Sequence, residues 1–362
     1  MGIFDLMDEH GHEEVMFCHN GATRLRAIIA IHDSTLGPAL GGTRMWNYPS
    51  EAEALKDALR LSRSMTLQAA VADCDTGGGM AVLWADPLRD KSEAYFRAFG
   101  RFVEGLRGRF ITYGDLGTSD RDLRYVRRET EYLAPFATAG VAGTDGGRLT
   151  AYGIFCGMKA CCKMVFGVSS VKGKRIAVQG VGEVGRQLSR LLAAEGAELV
   201  VTDVVYDAMK RLQDEVPSVD IVRPEEILYQ ECDIFSPCAL GGVITAASVG
   251  RLKCRIVAGS AYNVLESDEV GDALHARGIL YAPDFVISAG GIFQSADRMR
   301  PATEKEANAR AEEIFDVLVR VFEWARRADM APFRAAREMA FERIEQVGQV
   351  RSILCKPPDP GL

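Results

Sequence analysis

The sequence predicts an α/β protein with two domains: an N-terminal α/β domain and a doubly wound domain built on a parallel sheet. Its 362 residues exceed the length of one typical domain. Short apolar segments alternate with helical ones through the second half, which is typical of a parallel sheet covered by helices. We predict residues 1–140, joined by C-terminal helices in 331–362, as the first domain and residues 141–330 as the second.

The composition is that of an ordinary globular protein, with 48% hydrophobic and 26% charged residues. A net charge of -7 argues against nucleic acid or an anionic membrane as the main partner. The start of the chain has no apolar core of signal-peptide length, and no run of about 18 apolar residues follows. We therefore expect a cytoplasmic protein that acts on a small molecule.

The cysteines and histidines do not indicate a metal site. The nine cysteines are an odd number and show no Cys-x-x-Cys spacing, so neither a disulfide framework nor a zinc site is predicted. His10, His12 and His19 lie near one another in the sequence without further ligand residues beside them. We predict that these three histidines form a solvated surface cluster and that the protein binds no metal.

The first half predicts short strands around a long helix. Residues 37–43 are rich in glycine and are predicted as a flexible segment. Ser50 and Glu53 fit a capping box, so we expect a helix to begin there and to carry Met65 and Gln68 to the edge of a pocket. Further helices are predicted at 93–106 and 120–133, and strands at 25–32, 81–84 and 109–112.

Three consecutive glycines, Gly77, Gly78 and Gly79, follow the predicted helix. Glycine adopts backbone angles that other residues avoid and leaves room for close approach. We therefore expect the backbone to pass close to a ligand here and the next residue, Met80, to face a pocket. Methionine cannot act as an acid or a base, because its thioether carries no titratable proton.

One later stretch carries the pattern of a dinucleotide-binding βαβ unit. A strand at 174–179 precedes a Gly-x-Gly-x-x-Gly turn at 180–185, a helix at 187–195 and a strand at 198–202. The amides of the turn and the helix dipole favour an anion, so we expect a pyrophosphate there. Asp203 ends the second strand, where a carboxylate binds a ribose 2′-OH and repels a 2′-phosphate, which predicts NAD as the cofactor rather than NADP. The predicted contacts are Gly180, Gly182, Glu183, Val184, Gly185 and Asp203.

The remainder of the second half continues the same alternation. Residues 138–148 contain four glycines without periodicity and are predicted as the interdomain hinge. Thr303 and Glu306 fit a second capping box, which predicts a long helix that ends near residue 327. Short apolar strands are predicted at 234–237, 255–259 and 279–282.

Three motifs of the first half resemble a known family. They are GPALGGTRM at 37–45, MTLQAAVADCDTGGGM at 65–80 and YGDLGT at 113–118. With them the chain resembles the Glu/Leu/Phe/Val amino-acid dehydrogenase family, and within it the leucine dehydrogenase branch. The resemblance implies an N-terminal substrate and oligomerisation domain, a Rossmann NAD-binding domain and a homo-oligomer, either a dimer or a larger assembly. Family members carry lysine at the positions of Gln68 and Met80, so this chain lacks both active-site lysines.

The resemblance also implies roles for individual residues. Asp115 corresponds to the catalytic carboxylate that works at the amine, although an aspartate in a Gly-Asp-Leu-Gly turn can also cap its own loop. Tyr113 and Cys238 can likewise either take part in the site or simply pack against their neighbours. The implied substrate-binding residues are Leu40, Gly41, Gly42, Met65, Gln68, Met80, Tyr113, Ile292 and Ser295. Further cofactor contacts are Thr150 at the nicotinamide amide, with Cys238, Ala239, Ala258, Gly259 and Asn263 along the rest of the cleft.

The absence of the two lysines leaves three hypotheses for the function. In the relatives, one lysine is the base for the attack of water on an iminium and the other binds the substrate carboxylate. Hydride transfer itself needs neither, so our first hypothesis is an NAD-dependent oxidoreductase that reduces a preformed imine, cyclic imines included, to an amine. The first alternative is an amino-acid dehydrogenase for a hydrophobic or aromatic L-amino acid with a substitute base. The second alternative is a non-catalytic NAD-binding regulatory protein.

Overall fold

The chain divides into two compact units in the computed structural model, which describes residues 2–134, 146–292 and 304–350. Unit 1 consists of Met1–Tyr132 with Glu338–Leu362, and unit 2 of Leu133–Arg337. The sequence prediction set the first boundary at residue 140 and the C-terminal return at residue 331. Most of the predicted hinge at 138–148 lies outside the described residues. Both units are α/β, which confirms the predicted fold class.

Unit 1 is built on a five-stranded mixed sheet in the order β1-β2-β4-β3-β5. β2 pairs antiparallel with β1 and β4, whereas β3 runs parallel to β4 and β5. The strands are β1 (Glu14–Asn20), β2 (Leu25–Asp33), β3 (Ala39–Trp46), β4 (Gly77–Trp84) and β5 (Phe110–Gly114). The helices are α1 (Ile3–His10), α2 (Glu51–Val71), α3 (Glu93–Gly105) and α4 (Asp120–Val126).

Two predictions for unit 1 are wrong. The glycine-rich segment predicted at 37–43 is not a flexible loop, because from Ala39 onward it forms β3 between two other strands. The strand predicted to start at residue 81 begins at Gly77, so all three consecutive glycines belong to β4. A strand's pairing with distant neighbours overrides the low strand preference of glycine, and this pairing cannot be seen in the local sequence.

Helix α2 confirms the predicted start and orientation. The Ser50 hydroxyl accepts a hydrogen bond from the Glu53 amide at 3.3 Å, and the helix then runs for 21 residues. Ala54, Ala58 and Leu59 are fully buried in the cluster that α2 forms with Ile28 of β2 and with the other apolar side chains of this sheet face. The helix extends to Val71, so Met65 and Gln68 lie in its last two turns and are both buried.

Unit 2 contains a six-stranded parallel sheet in the order β11-β10-β9-β6-β7-β8. Numbered within the unit, this is the order 6-5-4-1-2-3 of a doubly wound dinucleotide-binding fold. The strands are β6 (Arg175–Gln179), β7 (Glu198–Thr202), β8 (Asp220–Ile221), β9 (Ile234–Pro237), β10 (Ile256–Val257) and β11 (Leu280–Tyr281). The order reverses between β6 and β9, and a crevice at such a reversal is where ligands bind.

The helices of unit 2 cover this sheet, and the second of them starts earlier than predicted. The helix expected from residue 187 begins at Glu183, directly in the glycine turn. The long helix predicted after Thr303 is present, although Thr303 itself lies outside the described residues. The helices are α5 (Gly146–Phe166), α6 (Glu183–Ala194), α7 (Tyr206–Glu215), α8 (Ala246–Val249), α9 (Asp268–Ala276), α10 (Asp284–Ile287), α11 (Glu304–Ala328) and α12 (Pro332–Val350), of which the part from Glu338 belongs to unit 1.

One helix of the described chain, Gly147–Phe166, is long and apolar enough to cross a membrane by length and composition alone. Within unit 2, 61% of this stretch is buried. Ala151, Ile154, Met158 and Cys161, which are spaced at three and four residues, are fully buried. This burial is what a core helix of a globular domain shows.

Candidate active site

Asp115 follows β5 of unit 1 in a turn that does not depend on its side chain. The Asp115 amide donates to the Thr118 hydroxyl at 3.0 Å, and that hydroxyl donates to the Thr43 carbonyl oxygen at 3.0 Å. The Thr118 amide closes the turn on the Asp115 carbonyl oxygen at 3.0 Å. Thr118 therefore holds the loop, and the Asp115 carboxylate is left to make contacts beyond its own turn.

The Asp115 carboxylate is bound by Arg44, a residue to which the sequence analysis gave no role. Arg44 Nε donates to Asp115 Oδ2 at 2.7 Å, and Arg44 Nη1 donates to Asp57 Oδ2 at 3.1 Å. The Tyr48 hydroxyl donates to the same Asp57 oxygen at 2.5 Å. Burial lowers the pKa of Arg44, but the charges of Asp115 and Asp57 outweigh burial and raise the pKa above its usual value. The guanidinium is therefore a permanent cation between two carboxylates.

Met80 lies beside Asp115 in the interior of unit 1. Its side chain is 2% exposed. A Cβ atom built on Gly42 would lie 3.4 Å from Met80 Cε and 2.7 Å from Asp115 Cβ, so both side chains border the space above Gly42. Gly42 is also paired with Tyr113 in the β3–β5 register. The absence of a side chain at residue 42 leaves the space that Met80 and Asp115 border.

Helix α2 contributes two of the other predicted substrate residues. Met65 is 4% exposed, and its sulfur accepts a hydrogen bond from the Tyr113 hydroxyl at 3.6 Å. Gln68, 1% exposed, lies one turn further along the helix on the same face as Met65. The structure therefore brings Tyr113, Met65 and Gln68 to the α2 side of the sheet. The contact with Met65 shows that Tyr113 packs against the helix, which leaves its role toward a substrate as a prediction.

The glycines of the two motifs are explained by packing within the protein. A Cβ atom on Gly41 would lie 1.7 Å from the Gly79 carbonyl oxygen, and one on Gly78 would lie 2.1 Å from the Thr66 nitrogen of α2. A Cβ atom on Gly79 would lie 2.8 Å from the ring of Phe110. Packing within the protein therefore accounts for these glycines, and contact of their backbone with a ligand stays a prediction. Among these three and Gly42, a Cβ atom on Gly42 is the one for which predicted site side chains, Asp115 and Met80, are among the three nearest contacts.

The predicted surface cluster of His10, His12 and His19 is wrong for His12, which is buried under α2 together with His32. His12 is 8% exposed and bonds to the Ser62 hydroxyl through Nε2 at 2.8 Å. His32 is 4% exposed and bonds to the Thr66 hydroxyl through Nδ1 at 2.8 Å. Burial is the largest cause that lowers the pKa of His12 to about 3 and that of His32 to about 4. His19 stays exposed on β1.

A surface groove of about 730 Å³ in unit 1 is unrelated to these residues. It follows the outer face of α3 and contains two arginines that both bind Glu129. None of the predicted site residues lines it. Within the described ranges, no group of three or more potential metal ligands was found either.

The glycine turn of unit 2 differs in geometry from the glycine-containing strands β3 and β4 of unit 1. Gly180 has a φ of +95°, a conformation that glycine adopts without strain. A Cβ atom on Gly185 would lie 2.0 Å from the Gly180 carbonyl oxygen, so this glycine lets α6 pack on the turn. A Cβ atom on Gly182 would meet nothing within 4 Å. The N-cap residue of α6 is Gly182, which makes no side-chain capping bond, and a helix N-terminus of this kind suits an anion such as the pyrophosphate of NAD.

Asp203 holds the loops on both sides of the predicted ribose site. Its Oδ2 accepts from the Val181 amide at 2.8 Å, and its Oδ1 accepts from the Val205 amide at 2.8 Å. Each carboxylate oxygen can accept a second bond, so a ribose hydroxyl can still bind. Asp203 therefore fits the predicted role and also fixes the turn.

The other predicted cofactor residues lie along the ends of the parallel strands. A Cβ atom on Gly180 would lie 2.9 Å from the Cys238 carbonyl oxygen and 2.9 Å from Ala239 Cβ, which brings the β6 and β9 loops together. Gly259 follows the buried Ala258, and a Cβ atom on it would lie 2.2 Å from the Pro237 carbonyl oxygen. These contacts place four predicted residues at the reversal of strand order: Cys238, Ala239, Ala258 and Gly259.

Asn263 has a φ of +53° and lies in a loop that Asp284 organises. The buried Asp284 carboxylate accepts from the amide of Val264 at 3.1 Å, and the Gly242 amide donates to the Asn263 carbonyl oxygen at 2.7 Å. Burial raises the pKa of Asp284. Sequence reasoning missed Asp284, because its partners lie about 20 residues away in a loop without a motif.

The remaining predicted residues are distributed as follows. Val184 is half-buried and Glu183 exposed in the first turn of α6. Thr150 is half-buried in the first turn of α5, and Ile292 is 2% exposed after a short helix at Ala289–Gly291. A Cβ atom on Gly290 would lie 2.6 Å from the Leu149 carbonyl oxygen, so the segment that carries Ile292 packs beside Thr150. Leu40 is buried in β3, and Ser295 lies outside the described residues.

Comparison with known proteins assigns the chain to a family. The family model described as "Glu/Leu/Phe/Val dehydrogenase, dimerisation domain" matches residues 12–132. The model "Glutamate/Leucine/Phenylalanine/Valine dehydrogenase" matches residues 203–351. The chain belongs to the Glu/Leu/Phe/Val dehydrogenase family. The resemblance inferred from the three motifs is therefore confirmed.

Relatives within this dehydrogenase family match over nearly the whole chain. Leucine dehydrogenase of Geobacillus stearothermophilus is 46% identical over 352 residues, which cover 97% of this chain and 96% of that protein. Phenylalanine dehydrogenase of Thermoactinomyces intermedius is 40% identical, and the match covers 98% of each chain. The crystal structure of L-tryptophan dehydrogenase from Nostoc punctiforme is 39% identical with a TM-score of 0.75, covering 96% of this chain and 99% of that one.

Family membership confirms the predicted enzyme class and cofactor. The protein is an NAD-dependent oxidoreductase of the amino-acid dehydrogenase family, a class that acts on C–N bonds. NAD supplies or accepts the hydride in such reactions. The residues of this chain that would hold NAD are the amides of α6, Asp203 and the loops after β9 and β10.

Proposed function

We propose that this protein transfers hydride between NAD and the C–N bond of an apolar amino acid or a related imine, with Asp115 as the carboxylate at the nitrogen. The observation that carries the proposal is that Arg44 binds Asp115 and that the side chains of Asp115 and Met80 both border the space above Gly42. Among the described residues, Arg44 binds Oδ2 of Asp115, and no protein group binds Oδ1. That second oxygen is available to an amine, an iminium or a water molecule.

The relatives favour oxidative deamination of an apolar amino acid as the reaction. Their names are leucine, phenylalanine and L-tryptophan dehydrogenase, and they match along both units of this chain. Without a lysine at residue 80, the base for the attack of water must be another group. Asp115 is the candidate that the geometry supports, because it is ion-paired, 23% exposed and borders Met80.

Reduction of a preformed imine is a second candidate, which the residues at positions 68 and 80 favour. Gln68 and Met80 are both buried, and neither can carry the charge of the lysines that the family resemblance implies there. A positioned general base contributes about 10² to 10⁴ in rate, and a charge-assisted pair with a substrate carboxylate adds to binding. Reduction of a C=N bond needs neither, so its rate is not lowered by these substitutions.

One assay separates the two reactions. NADH oxidation is followed with branched and aromatic 2-oxo acids plus ammonia, and then with a series of cyclic imines. Turnover of the oxo acids supports the amino-acid dehydrogenase, and turnover of the imines alone supports imine reduction. If neither set is turned over while calorimetry shows NADH binding, the catalytic proposal fails and the non-catalytic hypothesis replaces it.

A double variant, Gln68→Lys with Met80→Lys, tests whether the two positions limit deamination. We expect a gain of at least about 10²-fold in oxo acid turnover, because a base and a cation are added beside Asp115. Gln346→Lys adds a charge on the exposed surface of α12 and serves as the control. No gain in the double variant would show that the site differs from that of the relatives beyond these two residues.

The oligomeric state and the cellular location remain predictions. The N-terminal family model is described as a dimerisation domain, which supports the proposal that this chain forms a homo-oligomer. Size-exclusion chromatography with light scattering would test it, and a monomer at micromolar concentration would contradict it. The cytoplasmic location stays a prediction.

A further inference from the structure

Arg44 is the one cation in direct contact with the Asp115 carboxylate among the described residues. It reaches Asp115 because β3 and β5 are parallel neighbours, so that Thr43 is paired with Gly114 at the end of β5. Arg44 follows Thr43 by one residue, and Asp115 follows Gly114 by one. The two side chains therefore meet at the end of β5, although 71 residues separate them in the sequence.

The guanidinium is held from two sides. Its Nε–H binds Asp115, and its Nη1–H binds Asp57 of α2. Asp57 is itself fixed by the Tyr48 hydroxyl, and Tyr48 is 8% exposed. The side chain of Arg44 is 14% exposed. A planar guanidinium that donates to two carboxylates in this way has its orientation determined by both.

The pair acts on the side chain of Asp115 and not on its backbone. The turn that carries Asp115 is closed by Thr118, whose hydroxyl and amide make the bonds described above. Loss of Arg44 would leave this turn intact. What would be lost is the bond that holds the carboxylate above Gly42.

We propose that Arg44 is a positioning residue: with Asp57 and Tyr48 it fixes the orientation of the Asp115 carboxylate above Gly42. In the absence of a lysine at residue 80, Arg44 provides the positive charge that compensates Asp115. This inference rests on the proposed function in one respect, which is that Asp115 works at the nitrogen of the substrate.

The test compares Arg44→Gln, Arg44→Lys and Asp57→Asn with the wild type. We expect Arg44→Gln to lower kcat by about 10²-fold, because a displaced catalytic group costs this much. Arg44→Lys keeps the charge but cannot bind both carboxylates as a fork, so it should recover about 10-fold of the rate. Asp57→Asn should lose less than about 10-fold.

The control is Arg101→Gln, which removes an exposed arginine of α3 that binds Glu129. A merely structural role of Arg44 predicts a lower melting temperature with an unchanged kcat of the folded protein, and that result would overturn the inference. If Arg44→Gln does not fold, Arg44→Lys and Asp57→Asn carry the test, and a wild-type kcat in both would overturn it.

A crystal structure of the folded variant separates this inference from the proposed function. In Arg44→Gln we expect the Asp115 side chain to move away from Met80, while Thr118 still closes the backbone turn. If Arg44→Gln does not fold, the same change is expected in Asp57→Asn. An unchanged Asp115 conformation contradicts the inference, whether or not the wild type turns over a substrate. Absence of wild-type turnover, by contrast, contradicts only the proposed function.

Discussion

The two glycine-rich stretches of this protein contain the same residue for different reasons. In unit 1, Cβ atoms on Gly41, Gly78 and Gly79 would lie 1.7, 2.1 and 2.8 Å from other protein atoms. In unit 2, a Cβ atom on Gly182 would meet no protein atom within 4 Å, although one on Gly185 would lie 2.0 Å from the Gly180 carbonyl oxygen. These three glycines of unit 1 allow neighbouring strands and helix α2 to pack closely, whereas Gly182 leaves space at the N-terminus of α6.

This difference shows how far a glycine motif alone indicates a ligand. Glycine permits close approach, and the partner can be a ligand or another part of the chain. In unit 1 the partner of Gly78 is the backbone of α2. This close contact packs α2, which carries Met65 and Gln68, against β4, which carries Met80. In unit 2 the space beside Gly182 is available to the pyrophosphate of NAD. The comparison predicts opposite outcomes for alanine substitutions in the two stretches.

The largest effect is expected for Gly78→Ala. The added methyl would overlap the Thr66 amide and the Ser62 carbonyl oxygen of α2, which are backbone atoms that cannot turn away. We expect the free energy of unfolding to fall by about 3 kcal/mol or more, as for overpacked cores. Urea denaturation would measure it. Gly105→Ala, where a Cβ atom meets nothing within 4 Å, is the control in unit 1 and should be neutral. Equal stability of the two variants would break the comparison.

The layer between α2 and the sheet should also make stability depend on pH. The folded-state pKa values of His12 and His32 are lowered to about 3 and about 4, from 6.5. The unfolded chain therefore binds more protons below pH 6.5, so their contribution is complete above that pH and is lost as the pH falls toward 4 and 3. Between pH 6 and pH 5 we expect these two histidines to account for a loss of about 2 kcal/mol in the free energy of unfolding.

Urea denaturation at pH 7, 6 and 5 checks this pH dependence. His12→Gln with His32→Gln should have a flatter profile than the wild type, whereas His19→Gln, at an exposed site, should match the wild type. Parallel profiles for the wild type and the double variant would show that the two histidines are not kept neutral by folding.

The smallest effect on folding is expected for Gly182→Ala. Its φ of -67° suits alanine and no protein atom stands in the way, so the free energy of unfolding should change by less than about 1 kcal/mol. The methyl would instead occupy the approach to the α6 amides, and we expect the Kd for NAD to rise about 10-fold or more. Titration calorimetry measures this, with Gly250→Ala as the control. Unchanged NAD affinity would place the pyrophosphate elsewhere.

Local patterns predicted the elements whose cause is local. The Gly-x-Gly-x-x-Gly turn, β7 and the start of α2 at Ser50 were found, because turn geometry and capping depend on residues a few positions apart. β1 and β3 were missed, and β4 was predicted to start only at residue 81, after its glycines. Their pairing partners are distant in the sequence, and glycine has a low strand preference.

The candidate site was predicted in part for the same reason. Asp115, Gly42 and Met80 were found through motifs, and they meet in unit 1. Arg44 was part of a quoted motif without a role, because nothing in the sequence shows that it reaches residue 115. The buried His32 was missed as well, since its partner Thr66 lies 34 residues away.

The sequence by itself determined the α/β class, the NAD-binding pattern and the uncharged residues at positions 68 and 80, because composition, spacing and residue type are all that these conclusions need. Tertiary structure decided which glycines contact protein and which border open space, which histidines are buried, and which cation accompanies Asp115. Each of these depends on the pairing of distant strands and on the seating of a helix, and such contacts form only when the chain is folded.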